Sequence, residues 1–382
     1  MDNGHEISPD LSPQRIPHPK PSRKITPPER KAPPSPPATA ERTRRSTADG
    51  LPQSLVDFKR KAETGDVSPL TGISLSEDDY SSARDRIEST FLRFDFEPRQ
   101  GRIILRMPSP THDTFVWSIT SAVFEEISRV GRENEVVRGF TSKILSSGSS
   151  RILLDLDDNE AEAEEVNKEQ AQMRRQPDAQ FQHKDAALPG VVIEVSYTQD
   201  GKRLPKIAKE YIHHSDGDIK VAVCIDINLG SESTISLWKP RFTPEEDSDE
   251  VTMHIEQVVQ SHPFRTANGS PMNRDSKLTL DLHDFAPDEL SQDYPNIPIS
   301  IPYSKIYDFL NTAEQLHQSR ESKKAKGVRS TRRVKKRKLS SSPVEELCPE
   351  DEEKFTAKEE SAAAKEKKQD GDFEPQATKR RA

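Results

Sequence analysis

The sequence predicts an α/β domain, a mixed β-sheet flanked by helices, set between two disordered tails. Three observations predict it. Val191 to Tyr197 and Ile219 to Ile227 are apolar runs of strand length, separated by a helical pattern over Leu204 to Ile212. Upstream, Phe115, Val116, Ile119, Val123, Phe124 and Ile127 recur at spacings of three and four, the mark of an amphipathic helix with one face on a core. Hydrophobic residues make up only 31% of the 382 residues and charged ones 32%, too little apolar surface to fold the whole chain.

Taken in order, residues 1–83 read as a tail rich in proline, serine and basic residues, where coil or polyproline II is favoured. The domain is expected over residues 84–318. It opens with a helix from Ser82 to Phe94 and a strand from Arg102 to Met107. Pro108 and Pro110 break that strand, and the amphipathic helix starts near Thr111. Val136 to Phe140 and Arg151 to Leu156 read as strands. Residues 155–176 carry eight acids and read as a solvated insert. Asp178 to His183 and Val191 to Tyr197 are strands, and Leu204 to Ile212 is a helix with Pro205 tolerated in its first turn. The strands Ile219 to Ile227 and Thr234 to Lys239 follow. Residues 240–300 are ambiguous apart from a strand at Leu278 to Leu282, and Tyr303 to Leu316 is a closing helix. Helices interleaved with strands in this order indicate a mixed sheet with helices packed on it. Residues 319–382 read as a basic, then mixed-charge, tail.

Composition narrows the function classes. Two cysteines, Cys224 in an apolar strand and Cys348 in a polar tail, are too few for a disulfide framework or a zinc site. No run approaches the roughly 18 apolar residues of a membrane span. Met1 to His5 shows no apolar leader region, so an intracellular chain is expected. The net charge of −8 is spread too unevenly to describe any one surface.

The chemistry concentrates on two carboxylates. Glu194 lies inside Gly190-Val191-Val192-Ile193-Glu194-Val195-Ser196-Tyr197, and Asp178 follows Pro177 just upstream. A lone carboxylate among Val and Ile costs several kcal/mol, roughly, unless a cation or hydrogen bonds compensate. One compensation is a divalent metal. Hydrolysis of a phosphodiester needs a metal to hold the water, acids to hold the metal and a lysine to orient the water. The other is structural: an arginine such as Arg203, or backbone amides. His112 lines a cleft or simply opens a helix. Glu125 and Glu126 approach a metal or face solvent.

Pro177-Asp178 followed by Ile193-Glu194-Val195-Ser196 resembles the PD-(D/E)xK nuclease superfamily. More narrowly, it is similar to a branch of restriction-endonuclease-like domains found in fungal proteins. The shared pattern also takes in Arg106-Met107-Pro108-Ser109-Pro110-Thr111-His112 and Ala222-Val223-Cys224-Ile225-Asp226. The resemblance implies a restriction-endonuclease-like fold, with Asp178 and Glu194 holding Mg²⁺ or Mn²⁺. It also implies metal-dependent cleavage of DNA or RNA. The superfamily's lysine position is Ser196 here, so the cation must come from the next element: Lys202 or Lys206, with Lys209 behind them and Gln199 as a further polar group. If none of these turns inward, the resemblance implies a catalytically inactive nuclease fold that binds nucleic acid or serves as a scaffold.

A second signal lies past the domain. Arg320 to Lys338 holds eleven basic residues and one acid. Lys323 and Lys324, then Arg332, Arg333, Lys335, Lys336, Arg337 and Lys338, form two clusters that read as a bipartite nuclear localisation signal. A nuclear protein and an import receptor as partner are therefore expected. The same charges suit nucleic-acid phosphates.

Overall fold

The computed structural model describes residues 50–156, 172–197, 201–227, 230–245, 251–321, 331–335 and 358. The chain divides into two units, residues 1–320 and 321–382, and the architecture below belongs to the first, apart from Glu321 at the end of its last helix.

The order begins with α1 (Gln53–Glu63), β1 (Leu70–Ser74), α2 (Glu77–Thr90), β2 (Phe94–Glu97) and β3 (Arg102–Arg106). It continues with α3 (Pro110–Glu133), α4 (Glu135–Thr141), β4 (Ile144–Ser146), β5 (Ile152–Asp155) and β6 (Gln172–Arg175). Next come β7 (Ala179–His183), β8 (Val191–Tyr197), α5 (Leu204–His213), β9 (Val221–Ile227), β10 (Ser233–Pro244) and β11 (Val251–Arg265). The last are β12 (Lys277–Asp281), α6 (Asp288–Ser291), β13 (Pro298–Pro302) and α7 (Tyr303–Glu321).

The mixed α/β class holds, with more than one sheet. A six-stranded sheet runs β11-β10-β9-β8-β7-β4, and a five-stranded sheet runs β1-β3-β2-β6-β5. Within the larger sheet β8 and β9 are parallel, joined by the crossover helix α5 that such a pair needs, and the other pairs are antiparallel. α3, α7 and the β12–β13 ribbon pack on one face of it. On the other face α5 buries Leu204, Ile207, Ala208, Tyr211 and Ile212 against Val192, Ala222, Cys224 and Trp238, and also against Ile152, Leu154 and Met173 of the smaller sheet. α5 is thus clasped between the two sheets. A third core joins α1 and α2 to β2 and β3 through Leu55, Phe58, Ile87, Phe94, Phe96 and Ile103. Gly190 leads into β8 where the chain passes against the backbone of Asp284 and Phe285, and a Cβ there would collide with both.

β8 positions the site. Side chains alternate across a strand. Val191, Ile193 and Val195 enter the core under α3, and Val192, Glu194 and Ser196 face α5 and the smaller sheet. Every residue of β8 except Tyr197 is buried, and Glu194 is 3% exposed.

Several expectations are corrected. The fold starts well before residue 84: Leu51, Leu55 and Phe58 are buried, and β1 pairs with β3. The helix expected over Ser82–Phe94 spans Glu77–Thr90, opened by Ser76, whose hydroxyl accepts from the Asp79 amide, and Phe94 begins a strand. Val136 to Phe140 is helix, not strand. Asn134 caps its start by accepting from the Val136 amide, and Val137 and Phe140, three apart, share the buried side. Phe124 stays 41% exposed, one step round the helix from buried Val123. Gln172 to Arg175, assigned to the acidic insert, forms β6 with Arg174 and Arg175 buried. Residues 157–171 lie outside the described residues. The ambiguous stretch resolves as β11, which pairs with β10 in a long hairpin. The closing helix runs on to Glu321. Cys224 is a free, buried thiol, and Cys348 lies outside the described residues.

Candidate functional site

Asp178 and Glu194 come together, as the sequence suggested, at the floor of a cleft. It is a cavity of about 180 Å³ lined by Pro69, Leu70, Arg93, Arg106, Met107, His112, Arg203, Leu204 and neighbouring residues. Both carboxylates are buried, at 5% and 3% exposure. Asp178 stands just before β7, which pairs with β8, so its Oδ2 accepts from the Val195 amide at 2.8 Å. His112, in the first turn of α3, puts Nε2 3.2 Å from the same oxygen. Ser109 fixes that turn by accepting from the His112 amide.

The group that joins the acids is Arg106, at the end of β3. Its Nη1 donates to Glu194 Oε2 at 2.9 Å, and its Nη2 donates to Asp95 Oδ2 at 2.6 Å. Nη1 also lies 3.9 Å from Asp178 Oδ1. One guanidinium therefore serves three buried carboxylates. Arg93 Nη1 approaches Asp178 Oδ1 at 3.7 Å and Asp113 at 3.3 Å. The Tyr211 hydroxyl, from α5, donates to Glu194 Oε1 at 2.7 Å. Behind them lies fully buried Arg175, whose Nη2 donates to Glu97 at 2.9 Å and also to Glu210, and whose Nη1 is 3.8 Å from Asp95.

The electrostatics follow from these contacts. Burial raises the Asp178 carboxyl, but the charges of His112 and Arg106 and the two hydrogen bonds outweigh it and hold it at about 2. Burial likewise opposes charge on His112, and the Asp178 carboxylate overrides it, so the imidazolium persists to about 9. Glu194 is pushed up, to about 7, first by burial and then by the neighbouring carboxylates, against the pull of Arg106. Burial drives the Tyr211 hydroxyl well up.

A pH dependence follows. His112 has a folded-state pKa above its unfolded value, so its contribution is complete below about 6.5 and is lost as pH rises through about 9. The shift corresponds to on the order of 3 kcal/mol. Urea unfolding at pH 6 and pH 9.5 should show wild type losing about that much more stability than His112→Gln over the same interval. Equal losses in the two proteins would show that the ion pair contributes nothing.

Mg²⁺ or Mn²⁺, implied by the resemblance, fits these donors poorly as they are arranged. A hard cation needs carboxylate oxygens with charge to spare. Asp178 and Glu194 already face Arg106, Arg93 and His112, and any proton held by Glu194 lowers the negative charge further. Among the described residues no group of three His, Cys, Asp or Glu side chains is arranged to hold a metal ion.

The expected lysines are not at the acids. Lys202 and Lys206 line a separate cavity on the outer side of α5, and Lys206 Nζ lies 3.4 Å from Glu210. Lys209 sits over the Trp238 ring at 5.2 Å. Gln199 lies outside the described residues. Ser196 donates to Asp226 Oδ1 at 2.5 Å. Arg203 does line the acid cleft, but its ion pair is with Glu97 at 3.6 Å. Glu126 is paired with Arg129 and Glu125 with Lys305, away from the cleft. Sequence reasoning missed Asp95, Arg93, Arg175 and Tyr211 and left Arg106 without a role. The available signals were an acid between two phenylalanines in Phe94-Asp95-Phe96 and adjacent arginines beside an apolar strand.

In the basic segment, Arg332, Arg333 and Lys335 are exposed, and Lys323, Lys324, Lys336, Arg337 and Lys338 lie outside the described residues. No helix among the described residues is long and apolar enough to cross a membrane. The chain matches no protein-family model and no curated protein.

Proposed function

We propose that this chain is a non-catalytic nucleic-acid-binding module of the nucleus, built on a frame that resembles the PD-(D/E)xK nucleases. The observation that carries the reading is the position of Arg106. Its guanidinium lies between Asp95, Asp178 and Glu194, where a nuclease would place its metal. It supplies the positive charge that three buried carboxylates require, and it cannot polarise a water or coordinate a scissile phosphate as a metal does. No described lysine reaches the acids to serve the water. Nucleic acid as ligand is supported by the one-sided basic charge of residues 320–338.

Incubation of the full chain with single-stranded and duplex DNA and RNA, in Mg²⁺ or Mn²⁺, tests the reading. It should bind in a salt-dependent way and leave every substrate intact. Metal-dependent cleavage that disappears in Asp178→Asn would replace it with the rival reading, an active nuclease. For the address, changing Lys335, Lys336, Arg337 and Lys338 to Ala should leave a reporter fusion in the cytoplasm. Undiminished nuclear accumulation would remove the signal from the account.

A further inference from the structure

The lysines absent from the acid cleft line a second cavity. It has a volume of about 650 Å³ and lies between the outer face of α5 and the turn that joins β2 to β3. Arg99 and Gln100 of that turn form one wall, with Met173 of β6, and Lys202, Lys206, Lys209, His213 and His214 form the other. The helix is cleanly divided: its apolar residues are buried between the sheets, and Lys206, Lys209 and His213 are exposed.

Two acids, Glu97 and Glu210, also reach the cavity, and both are held from behind. Glu97 accepts from Arg102 at 2.8 Å and from Arg175 at 2.9 Å. Glu210 accepts from Arg175. Lys206 lies 3.4 Å from Glu210, Glu97 and Glu210 are both held by Arg175 from outside the lining, and Lys202 and Lys209 add further positive charge to the cavity. An amphipathic helix often carries lysines merely to face solvent. Here a facing wall converts the cationic face into a groove, and low-dielectric walls focus its field.

The spacing selects the ligand. Lys206 and Lys209 stand about 4.5 Å apart along the helix, at 1.5 Å per residue. Lys202 prolongs the row at the N-terminal end, so three lysines line the groove in sequence. A single phosphate would use a point cluster, whereas a row of this length suits successive phosphates of a strand. We infer that this groove binds the phosphodiester backbone of a nucleic acid, without reading its bases. The inference rests on the proposed nucleic-acid-binding function and locates a contact in the folded domain.

Fluorescence anisotropy of the full chain with labelled single-stranded and duplex oligonucleotides, over a range of salt, tests it. The triple variant Lys202→Ala, Lys206→Ala, Lys209→Ala changes exposed side chains only, and circular dichroism should confirm its fold. It should lose affinity roughly tenfold or more, and its salt slope should fall by about 2 on single strands and nearly 3 on duplex, because three fewer phosphates are neutralised. Wild-type affinity and slope in the triple variant, with both lost in the Lys335, Lys336, Arg337, Lys338 variant, would overturn the groove and leave the function standing. No oligonucleotide binding by wild type would overturn both. Lysine-dependent binding of pyrophosphate without binding of oligonucleotide would overturn the assignment to a strand.

Discussion

Arg106→Ala should be the most damaging single substitution in the domain. It removes the one guanidinium shared by Asp95, Asp178 and Glu194, all of them buried. Replacing a whole buried ion pair with apolar groups is often neutral, but removing one partner leaves an uncompensated charge and costs about 3–5 kcal/mol. Arg106 is only 13% exposed on its side chain, so solvent screens little of this. Urea unfolding at pH 7 reads the loss directly. Lowering the pH should recover part of it, because protonating the stranded carboxylates removes the unpaired charge. A loss below about 1 kcal/mol would place Arg106 among ordinary surface arginines.

Arg175→Met should come second, at on the order of 3 kcal/mol. Its side chain is fully buried and serves Glu97, Glu210 and Asp95. Met keeps most of the volume, so the cost is electrostatic rather than that of a cavity. Glu97 retains Arg102, which limits the damage. Arg106 and Arg175 share Asp95, so their effects should not add. The double variant should differ from the sum of the singles by more than about 0.5 kcal/mol. Strict additivity would show that the two arginines act independently.

The shared carboxylate also explains what the sequence made legible and what it did not. β8, α5 and β9 were readable because each is a long run of one period, and β8 was placed at its observed ends. The proximity of Asp178 and Glu194 was readable because a short hairpin connection brings adjacent strands into register. The charge partners were not. Arg106 and Glu194 are 88 residues apart, and Asp95 and Gln176, whose amide that carboxylate accepts, are 81 apart. Nothing local forecasts such pairings. The smaller sheet was obscured for the same reason: β2 has four residues, and its buried Asp95 and Glu97 look like surface residues until Arg106 and Arg175 are placed beside them. The 136–140 stretch misled because β-branched residues favour strands in isolation, while the Asn134 cap and packing decided for helix. The lysines were within chain reach of Glu194. The apolar face of α5 turned inward, which carried Lys206 and Lys209 outward.

Calorimetric titration of Mn²⁺ into the full-length protein is the most direct measurement of whether Arg106 stands where a nuclease holds its metal. The account predicts no saturable uptake by wild type through the low-millimolar range, and no rise in melting temperature. One ion bound saturably by wild type, and lost in Asp178→Asn, would contradict it, because a guanidinium and a divalent cation cannot share the same three carboxylates.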